Sequence, residues 1–241
     1  MPAAPEEERE DTFGAFMRDI RFAFDDAADY IWKAPKLLKH ETREELAKLD
    51  AYFPNDLESQ AFRWHFEERK LQSVFPRLMA TGNLFAVVSL FEVYCLRLAS
   101  IMTRQSGESL SGVSGWGLER SLTALKNAGL RPREQPLWGQ VRTALMIRNC
   151  LFHANGLLNH SRDADALREV ARSRVHLIAS HRHPHNSDLL QIIASRFGDQ
   201  AVITNEYAWI VCSYLRDYLF ALSEEAARLL VSGTPGESLA P

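Results

Sequence analysis

Arg148-Asn149-Cys150-Leu151-Phe152-His153, followed at once by Ala154-Asn155-Gly156, sets a guanidinium, a carboxamide and an imidazole within six residues. On a helix Asn149 and His153 stand four apart on one face, and Arg148 is turned by about 100° onto the flank of that surface. Imidazole titrates near neutrality, so His153 can take a proton from a ribose 2′-hydroxyl or deliver one to a leaving oxygen. A guanidinium at Arg148 can hold a phosphate bidentately and stabilise the charge that grows on it. The chemistry this trio suits is metal-free RNA cleavage. One helix supplies one imidazole, whereas in-line attack gains from an acid and a base on opposite sides of phosphorus; a two-fold dimer pairing two such helices would supply both. Arg142 and Asn155, on either side of the trio, are candidate substrate-binding residues.

The elements that must position these groups are mostly helical. With 241 residues, 46% hydrophobic and 24% charged, the chain can bury a substantial core. Phe13, Phe16, Met17, Ile20, Phe24, Ala27 and Ile31 recur at three- and four-residue steps and predict a helix over 12–33 that Pro35 ends. A short helix over 36–49 follows, closed by the Phe53-Pro54-Asn55-Asp56 turn. A longer one presents Phe62, Phe66, Leu71 and Phe75 before Pro76 and a Thr81-Gly82 break. The strongest apolar stripe, Leu84 to Met102, marks 83–104 as the central helix, with Glu92 beside the stripe. The Ser- and Gly-rich stretch 106–117 lacks a phosphate-cradling GK[ST] and reads as a connection, with an active-site lid as the sharper alternative. Helices over 118–127, stopped by Gly129, and from beyond Pro136 to His153, stopped by Asn155-Gly156, come next. The β-branched runs 175–178, 190–193 and 201–203 predict a small β-hairpin or three-stranded element, and Thr204-Asn205 caps a last helix to about 231.

Arg148-Asn149-x-x-x-His153 resembles the RNxxxH form of the Rx4-6H motif of HEPN domains. Ser89-Leu90-Phe91-Glu92-Val93-Tyr94 is similar to the acidic second core helix of bacterial members, and the Asn-Gly stop, strand-like segment and long C-terminal helix fit their layout. The resemblance covers about residues 83–231. It implies an up-and-down bundle of four or five helices that dimerises through the motif helices, with a composite, metal-independent endoribonuclease site. Many members look like toxins or antiviral effectors. Carried over, Arg148 and His153 are catalytic, Asn149 is the polar motif residue and Glu92 orients the pair. Toxins controlled by a nucleotidyltransferase antitoxin carry Rx4HxY, whereas Asn155 stands at that tyrosine's position here, which puts adenylylation in doubt. The organisation expected is thus a disordered N-terminus (1–11), N-terminal helices packed on the bundle (12–82), the HEPN-like domain (83–231) with a β insertion at 174–203, and a disordered tail (232–241).

Each feature has a plainer reading. Arg148 and Glu92 can form a structural ion pair in a bundle without activity, one that binds RNA, a nucleotide or a partner protein. Arg162, Arg168, Arg172, Arg174 and Arg182, interspersed with acids and histidines, read as a solvated connection. His176, His181, His183 and His185 have HxH spacing, but Pro184 interrupts them and no Cys joins them, so a hairpin tip is favoured over a zinc site. Tyr214 and Tyr218 read as helix packing, and Trp116 and Trp138 as core edges. No cofactor is expected. A net charge of −3 argues against bulk coating of nucleic acid. Cys95, Cys150 and Cys212 read as buried thiols of a reducing, cytoplasmic compartment. Glu92 and Arg97 make Leu84 to Met102 a core helix in preference to a membrane span. The partners expected are an RNA substrate, a second copy of the chain, and an antitoxin or other protein.

Overall fold

The computed structural model describes residues 6–105, 107, 109–175, 177 and 189–232. Its order is α1 (Glu6–Tyr52), α2 (Leu57–Arg69), a π-helical turn (Lys70–Val74), α3 (Phe75–Gln105), α4 (Gly117–Asn127), α5 (Trp138–Ala154), α6 (Ala164–Ser173), β1 (Leu190–Ser195), β2 (Gly198–Ile203) and α7 (Asn205–Ser232). The fold is mainly α, with one small antiparallel hairpin directly before the last helix, as the sequence predicts. The hairpin turns through Arg196 and Phe197, pairing Ser195 with Gly198 and Leu190 with Ile203.

Helices α3 and α7 form the centre, and the first half of α1 lies against both. Phe16, Ile20, Phe24 and Ile31 of α1 share one buried cluster with Leu84, Val88, Phe91 and Leu98 of α3 and Tyr207, Tyr214, Leu215 and Tyr218 of α7. Residues 13–34 therefore complete the core. The stretch Leu57–Gln105 is long and apolar enough to cross a membrane by length and composition. Its apolar stripe instead fills this cluster, and within it Arg97 pairs with Asp19 of α1 at 2.9 Å and covers the Tyr94 ring at 5.0 Å.

Several local expectations are corrected. Helix α1 starts at Glu6, inside the segment expected to be disordered. Pro35 does not end a helix, because α1 runs through it to Tyr52. Proline cannot donate to the carbonyl four residues earlier. That carbonyl, Ile31, accepts instead from the Asn205 side-chain amide at 2.7 Å, and Asn83 donates to the Asn205 Oδ1 at 2.6 Å. Thr81-Gly82 does not break α3 either, since Ala80, Asn83 and Leu84 beside it are buried and hold the helix in place. Nor does α2 bury its aromatic stripe: Phe62 and Phe66 are exposed, and of that series only Leu71 is buried. The second half of α1 and α2 pair as an arm, with no third layer over it among the described residues. Helix α6 occupies part of the stretch read as a solvated connection. Val175 and Leu177 lie in a turn and a bend, not a strand; the rest of that run, His176, His181, His183 and His185, residues 1–5 and the tail after Ser232 lie outside the described residues.

Candidate functional site

Helix α5 carries the motif. It begins after Leu137, which sits at φ 67°, and stops where Asn155 (φ 49°) and Gly156 (φ 79°) turn the chain left-handed. Val141, Ala144, Ile147, Cys150 and Leu151 bury its inner face. Arg142, Asn149 and His153, spaced by seven and then four residues, stand exposed on the outer face. That strip extends about 16 Å along the helix. Phe152, 62% exposed, stands beside it, with its ring edge-on to His153 at 4.9 Å and against Phe85 of α3 at 5.5 Å.

Arg148 points elsewhere. Its Nη2 donates to Glu92 Oε1 of α3, and the two side chains are 20% and 31% exposed. Its Nη1 donates to Asn149 Oδ1 at 2.9 Å. Glu92, Arg148 and Asn149 thus form one hydrogen-bonded chain from α3 to the outer strip. In a half-buried setting this pair is worth more than a surface ion pair, because each charge would otherwise lose water without compensation.

The end of α5 is fixed against the hairpin. Gly156 donates to the Cys150 carbonyl at 3.1 Å, and its own carbonyl accepts from Ala201 N–H at 2.8 Å. A Cβ on Gly156 would lie 2.5 Å from the Ala201 oxygen, so both the backbone angle and the close approach demand glycine. The Asn155 carbonyl accepts from Gln200 Nε2 at 2.7 Å, while its residue remains exposed. Asn155 therefore terminates the helix and anchors the hairpin.

Beyond this stop the chain folds back. Leu157 donates to Ala154 O at 2.8 Å, Leu158 is fully buried, and a single 3-10 turn, Leu158–His160, leads to α6. A cleft of about 480 Å³ results. Asn149, Cys150 and His153 line it from α5, and His160, Ser161, Arg162 and Asp163 line it from the turn. Burial pushes the Cys150 thiol above its ordinary range, against a hydrogen bond with Ser161 that lowers it. The fold thus brings together Asn149 and His153 in the cleft, and joins Asn149 to Arg148 and Glu92, which do not line it. Arg142 and Asn155 do not line it. His160 was not singled out in the sequence, and Arg162 was read there only as part of a solvated connection. The only trace was the tight Asn-Gly stop, after which the next few residues must double back on the last turn of the helix.

Elsewhere the plain readings hold: Tyr214 and Tyr218 are buried, and Trp138 packs on Tyr218 at 6.0 Å. Trp116, read as a core edge, is instead 91% exposed. Among the described residues no three His, Cys, Asp or Glu side chains converge as a metal site. All three thiols are free and buried. No family model, curated protein or solved structure matches the chain.

Proposed function

We propose that this protein is a metal-independent endoribonuclease of HEPN type that works as a homodimer through α5. The observation that carries the reading is the combination of an exposed His153, beside a cleft, with an Arg148 oriented by Glu92 at the end of a rigid helix. Imidazole handles the proton and guanidinium the phosphoryl charge, so the pair covers the two demands of 2′-hydroxyl attack. The outer strip of Arg142, Asn149, Phe152 and His153 is the surface on which a second α5 would pack and along which an RNA backbone would run. A cytoplasmic toxin or antiviral effector, restrained by an antitoxin or another partner protein, is the biological setting that the resemblance suggests.

The test is cleavage of single-stranded RNA by the full chain in EDTA. Wild type cuts, a 2′-deoxy substitution at the cut site blocks it, and Arg148→Ala and His153→Ala each lower the rate by about 10²-fold or more. Undiminished cutting by both variants removes the assignment. The engagement of Arg148 by Glu92 also favours a second reading, a non-catalytic HEPN module in which the pair is structural. Binding of RNA, nucleotide or protein at the strip, without cutting, distinguishes it.

A further inference from the structure

We propose that the turn from His160 to Asp163 supplies, within one chain, the second half of the RNA site: His160 as the second proton-transfer group and Arg162 as the cation that meets the scissile phosphate. The inference rests on the ribonuclease reading but relieves the two-fold pairing of supplying the second imidazole.

Two imidazoles, His153 and His160, line one cleft from two different elements. In-line displacement at phosphorus gains from two such groups, one beside the entering oxygen and one beside the leaving oxygen. Arg148, the cation expected in the cleft, does not line it; its guanidinium is taken up by Glu92 and Asn149. Arg162 does line it, and is exposed. The remaining charged or titratable groups facing the cleft are Asp163 and the Cys150 thiol, with the Glu92–Arg148 pair behind Asn149.

The turn that carries His160 is held by hydrogen bonds. The His160 N–H donates to Leu157 O at 3.2 Å, Ser161 donates to Leu158 O at 2.9 Å, and Asn159 Nδ2 donates to Phe197 O at 3.3 Å. Leu158 is buried, and Leu157 bridges to Gln200 of β2. Sites held this way keep the geometry that proton transfer requires. A volume of about 480 Å³ accommodates one nucleotide, and the exposed Phe152 ring beside His153 offers a face on which a neighbouring base can stack. In the step so built, one imidazole accepts the 2′-hydroxyl proton as the 2′-oxygen bonds to phosphorus. The P–O5′ bond breaks, and the other ring, as imidazolium, protonates the departing 5′-oxygen. The products are a 2′,3′-cyclic phosphate and a 5′-hydroxyl.

The experiment is the pH–rate profile of RNA cleavage by the full chain for wild type, His160→Gln and Arg162→Gln, with thermal midpoints measured in parallel. His160→Gln is expected to lower kcat on the order of 10²-fold and to remove one limb of the profile, with the midpoint unchanged. Arg162→Gln is expected to lower kcat/KM by at least about tenfold, with both limbs kept. A His160→Gln enzyme at wild-type rate, or slower with an unaltered profile, overturns the proton-transfer role and leaves the ribonuclease reading standing. A wild type that does not cut RNA overturns that reading and this inference together.

Discussion

Arg148 sits between two obligations, an acid behind it and a carboxamide beside it, and Glu92 is the residue that decides its direction. Replacing Glu92 by Gln keeps the shape and removes the charge. The expected cost is about 1 kcal/mol, discounted for the partial exposure of the pair, and a thermal midpoint lower by about 2–4 °C. Cleavage should fall by on the order of tenfold, read on the same RNA substrate, because Asn149, which lines the cleft, loses the Glu92–Arg148 chain that positions it. Gly156 is the second decisive position. A Cβ there meets the Ala201 oxygen at 2.5 Å on a left-handed backbone, so Gly156→Ala should lower stability by about 2–3 kcal/mol in urea unfolding. A midpoint equal to wild type would show that the hairpin yields without cost. At this scale the site was half legible. Arg148, Asn149 and His153 announce themselves by spacing on one helix, and Glu92 by its charge within an apolar stripe. His160 and Arg162 carry no such mark, because their place depends on where the chain goes after Gly156.

At the scale of elements, the arm formed by the second half of α1 and α2 separates appearance from energetics. An apolar stripe reads the same whether its helix is covered or bare, so Phe62, Phe66 and Leu71 look alike in the sequence. In the fold, Leu71 is 4% exposed, whereas Phe62 and Phe66 are 65% and 52% exposed. Leu71→Ala should therefore cost about 2–4 kcal/mol, while Phe62→Ser combined with Phe66→Ser should shift stability by less than about 1 kcal/mol. Urea unfolding of the two variants side by side checks both. Helix ends set by local chemistry were readable: the Phe53–Asp56 turn with Asp56 capping Ser59, the Gly129 stop and the Thr204 cap on Tyr207. The passage of α1 through Pro35 was not, because the compensating amide comes from Asn205, 174 positions away from Ile31. Helix α6 stayed hidden because only Leu167 and Val170 of its ten residues are buried, beneath a run of arginines and acids.

Across the whole molecule the core keeps ionisable groups neutral. Burial pushes the Cys212 thiol from its ordinary 9.0 up to about 12, and raises Cys95, Tyr207 and Tyr214 as well. The unfolded chain ionises these groups at their ordinary values while the folded chain does not. Their stabilisation is complete below about pH 9 and is lost as pH rises from there toward about 12. Urea midpoints should be level through neutrality and fall in the alkaline range, and Cys212→Ala should soften the fall. A midpoint that declines equally in that variant assigns the loss to the tyrosines and Cys95. The protein is thus built to hold its centre dry, with the polar strip of Arg142, Asn149 and His153 confined to its rim.

Asn205 gives that arrangement a mechanical aspect. It clasps Ile31 of α1 and Asn83 of α3, and it begins only four residues after Ala201, whose N–H holds Gly156 at the end of the motif helix. The root of the arm and the tip of α5 are therefore tethered to the two ends of one short length of strand. A pull on the first has almost no slack to absorb it before it is felt at the second.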